Sequence, residues 1–233
     1  MANDTLALQE RIGYTFTDGE LLRQALTHRS YLNENPTWPV GHNERLEFLG
    51  DAVLELVVTE ELYAKFPDRP EGEMTNWRAA LVNATMLSGI TSDFDLNAHI
   101  LLSRGEARDT GRARQYILAN AMEALIGAIY LDGGYEAAKT FILRFVMARL
   151  DEVLTKKLYK DAKSLLQEEA QERLGFTPNY EVLREWGPDH ARQFRIGVFL
   201  GPDMVGEGEG SSKQDAQQVA AEAALKNKGW AGR

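Results

Sequence analysis

The stretch that decides the fold is residues 42–51, HNERLEFLGD. On a helical wheel of about 100° per residue, its acids Glu44, Glu47 and Asp51 share one narrow face, because Glu47 falls at about 300° and Asp51 at about 340° from Glu44. The leucines and valines of this stretch and of the following turns lie on the opposite side. The pattern predicts a helix over about residues 43–65 that buries one face and carries three mutually repelling carboxylates on the other.

These carboxylates need an explanation, because like charges three and four residues apart destabilise a helix unless positive charge lies among them. A hard divalent cation is one candidate, since Mg²⁺ takes oxygen ligands and keeps several of its waters. An ordinary solvated acidic face is the alternative. The stretch alone leaves both interpretations open.

A second polar cluster lies inside the apolar run of residues 117–131. The run is apolar nearly all round, which predicts a buried central helix whose interior polar residues, Asn120 and Glu123, share one face. Gly127 lies on the same face and would allow a neighbouring element to approach closely. A buried glutamate is costly unless it is paired or coordinates a metal, and an arginine or a backbone donor is the alternative partner. Together the two clusters predict a shared metal site.

The composition is that of a globular protein without disulfides. The chain has 233 residues, of which 44% are hydrophobic, and it has no cysteine, which excludes a disulfide framework, a thiolate metal site and a cysteine nucleophile. The first residues lack the basic and apolar segments of a secretory signal, and no apolar run is long enough to cross a membrane. We predict a cytoplasmic protein with no membrane partner, and we expect no small-molecule organic cofactor.

The net charge of −9 at pH 7 argues against a nucleic acid partner if it is read for the whole chain. Residues 161–233 carry 9 basic and 12 acidic side chains, so this part of the chain is not basic either. A nucleic acid would therefore need locally concentrated basic groups, with divalent ions on the acidic face offsetting part of the repulsion.

The sequence pattern changes near residue 160. Before it, helical periodicity dominates, and further helices are predicted over residues 6–12, 18–26, 74–93, 98–102 and 135–154. After it come an amphipathic helix, three strands and an alanine-rich helix, predicted at residues 162–174, 179–186, 193–200, 204–209 and 212–227. The predicted fold class is therefore multi-domain α and α+β: an all-helical domain, a basic linker at residues 155–160 and a small α-β-β-β-α domain.

Several segments together resemble one known family. Residues 42–51 are similar to the signature of bacterial ribonuclease III, the endonuclease that cuts double-stranded RNA. Further similar segments follow the family order, at residues 12–16 (IGYTF), 24–31 (QALTHRSY), 71–74 (EGEM) and 123–128 (EALIGA). The α-β-β-β-α pattern resembles a double-stranded-RNA-binding domain, so the resemblance covers nearly the whole chain.

The resemblance implies a domain organisation and a site. The ribonuclease III catalytic domain would span residues 5–134 with a helical extension to about 154, and the RNA-binding domain would span residues 161–230. The implied metal ligands are Glu47, Asp51, Asn120 and Glu123, with Asp51 and Glu123 as catalytic acids and Glu44 and Glu71 as further site acids. The implied cofactor is Mg²⁺, with Mn²⁺ as a substitute, which would activate water and stabilise charge on the transferring phosphate.

Asn120 departs from the family pattern, which usually has aspartate at this position. An asparagine still offers a carbonyl oxygen to Mg²⁺ but brings no negative charge. Three interpretations stay open: a natural variant that still ligates, a substitution that weakens metal affinity, and a site without catalysis.

The resemblance also implies how RNA is bound. The RNA-binding residues would be Gln167 on the first helix of the small domain, His190 in the loop after its first strand, and Ser212 and Lys213 at the start of its last helix. Such domains span about 16 bp and recognise the shape of the duplex. The family has a further basic residue after Lys213, whereas Gln214 follows here, so we expect a shallower salt dependence.

The function implied is a homodimeric endoribonuclease whose two sites each cut one strand of duplex RNA and leave 5′-phosphate and 3′-hydroxyl ends. Precursor ribosomal RNA and messenger RNAs would be its targets. One alternative is an attenuated or inactive double-stranded-RNA-binding protein, disabled at Asn120. Another is a helical phosphohydrolase of small phosphate esters, which the small C-terminal domain argues against.

Overall fold

The structure, a computed structural model, describes residues 5–188 and 191–230. The chain divides into two compact units, Met1–Asp151 and Glu152–Arg233, which we call the helical unit and the mixed unit. No helix in the described ranges is long and apolar enough to span a bilayer.

The helical unit consists of helices joined by short loops. In chain order, the helices up to residue 155 are α1 (Thr5–Ile12), α2 (Gly19–Ala25), α3 (Arg29–Glu34), α4 (Glu44–Lys65), α5 (Glu71–Val82), α6 (Ala84–Ile90), α7 (Arg112–Phe145) and α8 (Leu150–Thr155). The carboxylate of Asp18 caps α2 by accepting from the Glu20 N–H at 2.9 Å. Helix α3 was not predicted, because it has six residues and none of them is buried.

Two predicted helices of this unit are wrong in detail. The helix predicted over residues 74–93 is interrupted at Asn83, whose backbone is extended (φ −72°, ψ 158°) and whose side chain caps α6 by accepting from the Met86 N–H. The helix predicted over residues 98–102 is absent: a short 3₁₀ turn ends at Ala98, and Leu101 forms an isolated parallel bridge with Thr27 instead.

The centre of the helical unit is the packing of α4 against α7. The apolar side of α4 is buried, as predicted, including Leu46, Val53 and Val57. The run of α7 predicted to be central is buried from Ala119 to Ile129 except at its polar positions, and its first two and last two residues are partly buried or exposed. The helical path of α7 is interrupted at Gly134 (φ 77°), which lies between the two helices predicted for this region.

The mixed unit is an α-β-β-β-α domain, as predicted. Its elements are α9 (Ala162–Leu174), β1 (Asn179–Trp186), β2 (Gln193–Leu200), β3 (Asp203–Gly210) and α10 (Lys213–Lys228). The strands form an antiparallel sheet in the order β1-β2-β3. Alternate β3 residues are glycines, and a Cβ at Gly206 or Gly208 would collide with the α10 backbone, so α10 lies directly on this strand.

The segment predicted as a linker belongs to the mixed unit in the structure. Lys157 lies 3.2 Å from a carboxylate oxygen of Glu169 on α9, and Lys160 lies 2.5 Å from Glu168. These ion pairs hold residues 157–160 against α9. The positive charges predicted for the linker are therefore largely neutralised by the unit that follows it.

Candidate active site

The candidate site forms where α4 and α7 cross with their backbones in contact. A Cβ added to Gly50 would overlap the Glu123 carbonyl oxygen and lie 2.8 Å from the Gly127 nitrogen. A Cβ added to Gly127 would overlap the Leu46 carbonyl oxygen. The close approach expected at Gly127 is thus confirmed, and Gly50 is its counterpart on α4.

Gly50 was missed by the sequence reasoning, although a signal was present. Glycine inside a helix costs about 1 kcal/mol relative to alanine. Gly50 lies at the border between the acidic and apolar faces of α4, at about 240° on the wheel that starts at Glu44. A glycine at such a border indicates a place where a second helix can contact the backbone.

The crossing brings together three carboxyl groups, Glu47 and Asp51 from α4 and Glu123 from α7, which we call the acid cluster. Burial raises the pKa of Glu123 to about 7, with further contributions from the charges of Asp51 and Glu47. Burial also raises the pKa of Glu47, and the charges of Glu44 and Asp51 add to it. Two of the three acids, Glu47 and Glu123, are therefore disfavoured as carboxylates by burial and by the charges of their neighbours.

Asn120 lies at the same place on α7. Its side-chain amide acts on Glu47 as a hydrogen-bond donor and opposes the rise of that carboxyl's pKa. Because the amide nitrogen is the donating atom, the Asn120 side-chain oxygen remains available as an oxygen ligand.

Two basic groups lie beside Glu44, an acid outside the cluster whose charge acts on Glu47. Arg29 Nη1 is 3.6 Å and His42 Nδ1 is 3.8 Å from Glu44 carboxylate oxygens. Within residues 5–188 and 191–230, no basic side chain forms an ion pair with a member of the acid cluster. The arginine partner considered for Glu123 is therefore not present in the described part of the chain.

The chemistry of these donors fits a hard divalent cation. Three carboxylates and one amide offer oxygen ligands. Added positive charge would relieve the repulsion between the carboxylates, which adds to the effect of burial in raising the pKa values of Glu47 and Glu123. As the described side chains stand, no three His, Cys, Asp or Glu residues have a metal-binding arrangement. A bound cation would therefore draw these carboxylates closer together.

Glu71 does not join the acid cluster within one chain. It is the first residue of α5, where its carboxylate accepts from Thr75 Oγ1 at 2.9 Å. It lines a cavity together with Thr59 and Tyr63 of α4. Thr59 is twelve residues beyond Glu47, which corresponds to about 18 Å along the helix.

In the mixed unit, the residues implied in RNA binding have different environments. Gln167 is exposed on α9. Ser212 is the N-cap of α10, and its hydroxyl oxygen accepts from the Asp215 N–H at 3.1 Å. The Lys213 ammonium lies 5.7 Å from the centre of the Phe194 ring. His190 lies outside the described residues.

The sequence reasoning missed Lys163 on the first turn of α9. Its ammonium donates to Gln217 Oε1 at 2.7 Å and lies 5.3 Å from the Tyr180 ring centre. Neither Lys163 nor Lys213 forms an ion pair with an acid in the described part of the mixed unit, whereas Arg173 and Arg195 do. The two lysines therefore keep an unneutralised positive charge.

Comparison with known proteins identifies both units. A Ribonuclease-III-like family model matches residues 18–150. A double-stranded RNA binding motif matches residues 162–228. The chain thus combines a nuclease-type helical domain with an RNA-binding module.

Whole-length relatives then give the family. A protein named Ribonuclease 3 from Protochlamydia amoebophila is 44% identical over 219 residues, covering 94% of this chain and 90% of the relative. The Ribonuclease 3 of Syntrophobacter fumaroxidans is 46% identical, covering 94% and 92%. The crystal structure of the ribonuclease III nuclease domain from Campylobacter jejuni is 43% identical and covers 64% of this chain and 97% of that one, with a TM-score of 0.57. The chain belongs to the ribonuclease III family of endoribonucleases.

Proposed function

We propose that this protein hydrolyses phosphodiester bonds of double-stranded RNA with divalent metal ions held by Glu47, Asp51, Asn120 and Glu123. The observation that carries the proposal is the acid cluster: three carboxyl groups brought together at a glycine crossing, two of them with raised pKa values. Family membership and the RNA-binding motif supply the substrate class.

Each side chain has a role in this proposal. Glu47 and Glu123 hold the metal, and Asp51 and Glu123 face the reacting phosphate and its water. Asn120 contributes an oxygen and holds the Glu47 carboxylate in place through its amide. Bound Mg²⁺ or Mn²⁺ would supply activated water and charge stabilisation on the phosphate. The expected products carry 5′-phosphate and 3′-hydroxyl ends.

The mixed unit would hold the duplex by its shape. Gln167 is exposed on α9, and we propose that it reaches a minor groove and its 2′-hydroxyls. Lys213 and Lys163 carry positive charge for phosphates, because neither forms an ion pair in the described part of the mixed unit, whereas Lys160 and Arg173 are paired with acids. Ser212 orders the first turn of α10, and we propose His190 as the contact to a second minor groove.

We also propose that the protein is a homodimer that pairs through α4. Phe48, Leu56 and Tyr63 are 82%, 56% and 74% exposed, and they form one stripe, since their wheel angles differ by at most about 80°. An exposed apolar stripe of this size is typical of an interaction surface. In an isologous antiparallel pairing, the Tyr63 end of one α4 faces the Phe48 end of the other. This would carry Glu71 of one chain toward the acid cluster of the other.

The cellular role we propose is the processing of precursor ribosomal RNA and messenger RNA in the cytoplasm. A second candidate, an attenuated or inactive binder of duplex RNA, is favoured by one observation: the amide of Asn120 stands where the family usually has a carboxylate, which leaves the site one negative charge short. The two candidates differ in whether Mg²⁺ supports cleavage.

The deciding experiment is cleavage of a long RNA duplex across a Mg²⁺ titration by the parent protein, Asn120→Asp and Glu123→Gln. We expect cleavage by the parent that is slower than that of Asn120→Asp, most clearly at low Mg²⁺, and none by Glu123→Gln. Binding without cleavage, restored in Asn120→Asp, would establish the inactive binder. Equal rates of the parent and Asn120→Asp at every Mg²⁺ concentration would show that the missing charge is unimportant.

A further inference from the structure

The surface of α7 that carries the candidate site continues toward the start of the helix. Relative to Arg112, the wheel angles of Tyr116, Asn120 and Glu123 are about 40°, 80° and 20°. Asn120 and Glu123 belong to the site, whereas Arg112 and Tyr116 have no role in it so far. The four residues nevertheless share one side of the helix.

Arg112 and Tyr116 form an exposed pair on this side. Arg112 Nη2 donates to the Tyr116 hydroxyl at 3.3 Å, and the guanidinium carbon lies 5.8 Å from the ring centre. Tyr116 is 47% exposed, and Arg112 is also exposed. The tyrosine therefore holds the guanidinium in a defined position at the surface while most of its donors stay free.

The position of Arg112 is electrostatically unfavourable in the free protein. It is the first residue of α7, and no acid occupies the first turn of that helix. A positive charge at the N-terminal end of a helix opposes the helix dipole. In the described part of the chain, no carboxylate forms an ion pair with Arg112 to compensate. An anion that binds here would remove this cost.

We propose that the Arg112–Tyr116 pair binds a backbone phosphate of the RNA duplex beside the cleavage site. This inference rests on the proposed function. Arg112 is eight residues from Asn120, about 12 Å along the helix, which corresponds to a few nucleotides along a strand. The pair places one positive charge on the same side of α7 as Glu123, about 16 Å along the helix from it, and so guides an anionic strand toward a site that otherwise repels it. Arg112 contacts the phosphate, and Tyr116 is a positioning residue.

The test uses the full chain and a 30-bp RNA duplex. The variants are Arg112→Gln, Tyr116→Ala and Tyr116→Phe. Arg11→Gln is the matched control, because it also removes one positive charge from the helical unit. Arg11 is already paired with Asp95 at 3.1 Å. Binding is measured in EDTA across a salt titration, and kcat and KM are measured with Mg²⁺. Thermal unfolding checks that the exposed substitutions leave the fold intact.

We expect Arg112→Gln to weaken binding about tenfold at low salt and to reduce the slope of log affinity against log salt by about 1, as for one lost phosphate contact. KM should rise with little change in kcat. Tyr116→Ala should lose about threefold in affinity and Tyr116→Phe less than twofold, since the ring remains. Arg11→Gln should match the parent.

The outcomes separate this inference from the proposed function. A parent that binds duplex RNA, with Arg112→Gln indistinguishable from Arg11→Gln in slope and KM, would overturn the inference and leave the proposed function intact. A parent that binds without cutting still decides the inference through the salt slope. A parent that binds no duplex RNA would overturn both.

Discussion

Each unit contains a glutamate withdrawn from solvent, and the two have opposite surroundings. Glu123 in the helical unit faces Asp51 and Glu47, and burial together with these acids raises its pKa to about 7. Glu169 in the mixed unit is 7% exposed, and the bond from Arg173 Nε at 2.7 Å, supported by Lys157, holds its pKa below the usual range despite burial. The basic neighbours of Glu169 neutralise its charge, whereas the acidic neighbours of Glu123 repel its charge.

The difference separates a structural acid from a functional one. An acid paired with two bases needs nothing further, because its charge is compensated inside the fold. An ionised acid surrounded by other acids is unfavourable in the free protein. Such an arrangement indicates a functional site, where a ligand of opposite charge would remove the repulsion. Substitutions at the helix crossing, at the uncompensated acid and at the compensated acid test this difference.

The largest effect is expected from Gly50→Ala, which attacks the crossing that creates the acid cluster. The added methyl would overlap the Glu123 carbonyl oxygen, so α4 and α7 must separate, and we expect the helical unit to lose about 3 kcal/mol or more. Hydrogen exchange should rise in peptides from α4 and α7 and stay unchanged in α10.

Gly89→Ala is the matched control for this substitution. Gly89 lies in α6, and nothing lies within 4 Å of an added Cβ, so alanine should stabilise this helix by about 0.5–1 kcal/mol. If Gly50→Ala and Gly89→Ala had the same effect on hydrogen exchange, this result would contradict the close backbone contact of α4 and α7 at Gly50.

Glu123→Gln tests the uncompensated acid, and without divalent ions we expect it to stabilise the protein. The pKa of Glu123 is raised in the folded state, so the folded protein binds an extra proton and loses stability as pH rises from about 4.5 to about 7. At pH 8 in EDTA, Glu123→Gln should therefore be about 2 kcal/mol more stable than the parent. At pH 4 the difference should disappear.

The control for Glu123→Gln is Glu136→Gln, which removes one acid from an exposed position of the same helix. It should show no such pH dependence. Added Mg²⁺ should stabilise the parent and leave Glu123→Gln unchanged. A stability difference between Glu123→Gln and the parent that stays constant from pH 4 to pH 8 would contradict the raised pKa.

The mixed unit was the easier of the two to predict from sequence. Its second strand alternates with period two, and Gly-Pro-Asp sequences separate the three predicted strands. The predicted bounds of α9, β1 and β2 agree with the structure. In the helical unit, long amphipathic helices such as α4 were predicted well. One error falls at Asn83, where a polar cap interrupts a helix without interrupting its hydrophobic pattern. The other falls around Ala98, where a short 3₁₀ turn stands in place of the start of the predicted helix.

Within the site, the sequence predicted only which residues share one face of the same helix. The wheel placed Glu47 and Asp51 together, and the apolar run predicted that Glu123 is withdrawn from water. Which helix meets which, and at which residues, depends on tertiary packing, so Gly50 was missed. The position of Glu71 could not be predicted from the local sequence pattern either, because in our proposal Glu71 approaches the acid cluster of the other chain across a dimer interface.

The smallest effect is expected from Glu169→Gln, which tests the compensated acid. The pKa of Glu169 is lowered in the folded state, so its carboxylate contributes stability that is present above its unfolded pKa and lost as pH falls through the folded one. Because the side chains of Lys157 and Arg173 are 36% and 52% exposed, we expect a loss of only about 1 kcal/mol at pH 7. Glu172→Gln is the matched control, because Glu172 is exposed on α9 and forms no ion pair in the described part of the chain, so its loss should change stability by about 0.5 kcal/mol or less. Both are followed by hydrogen exchange of α9 and α10 against pH. The pH trend should be opposite in sign to that of Glu123→Gln, and a Glu169→Gln variant that is more stable than the parent at pH 7 would remove the distinction between the two glutamates.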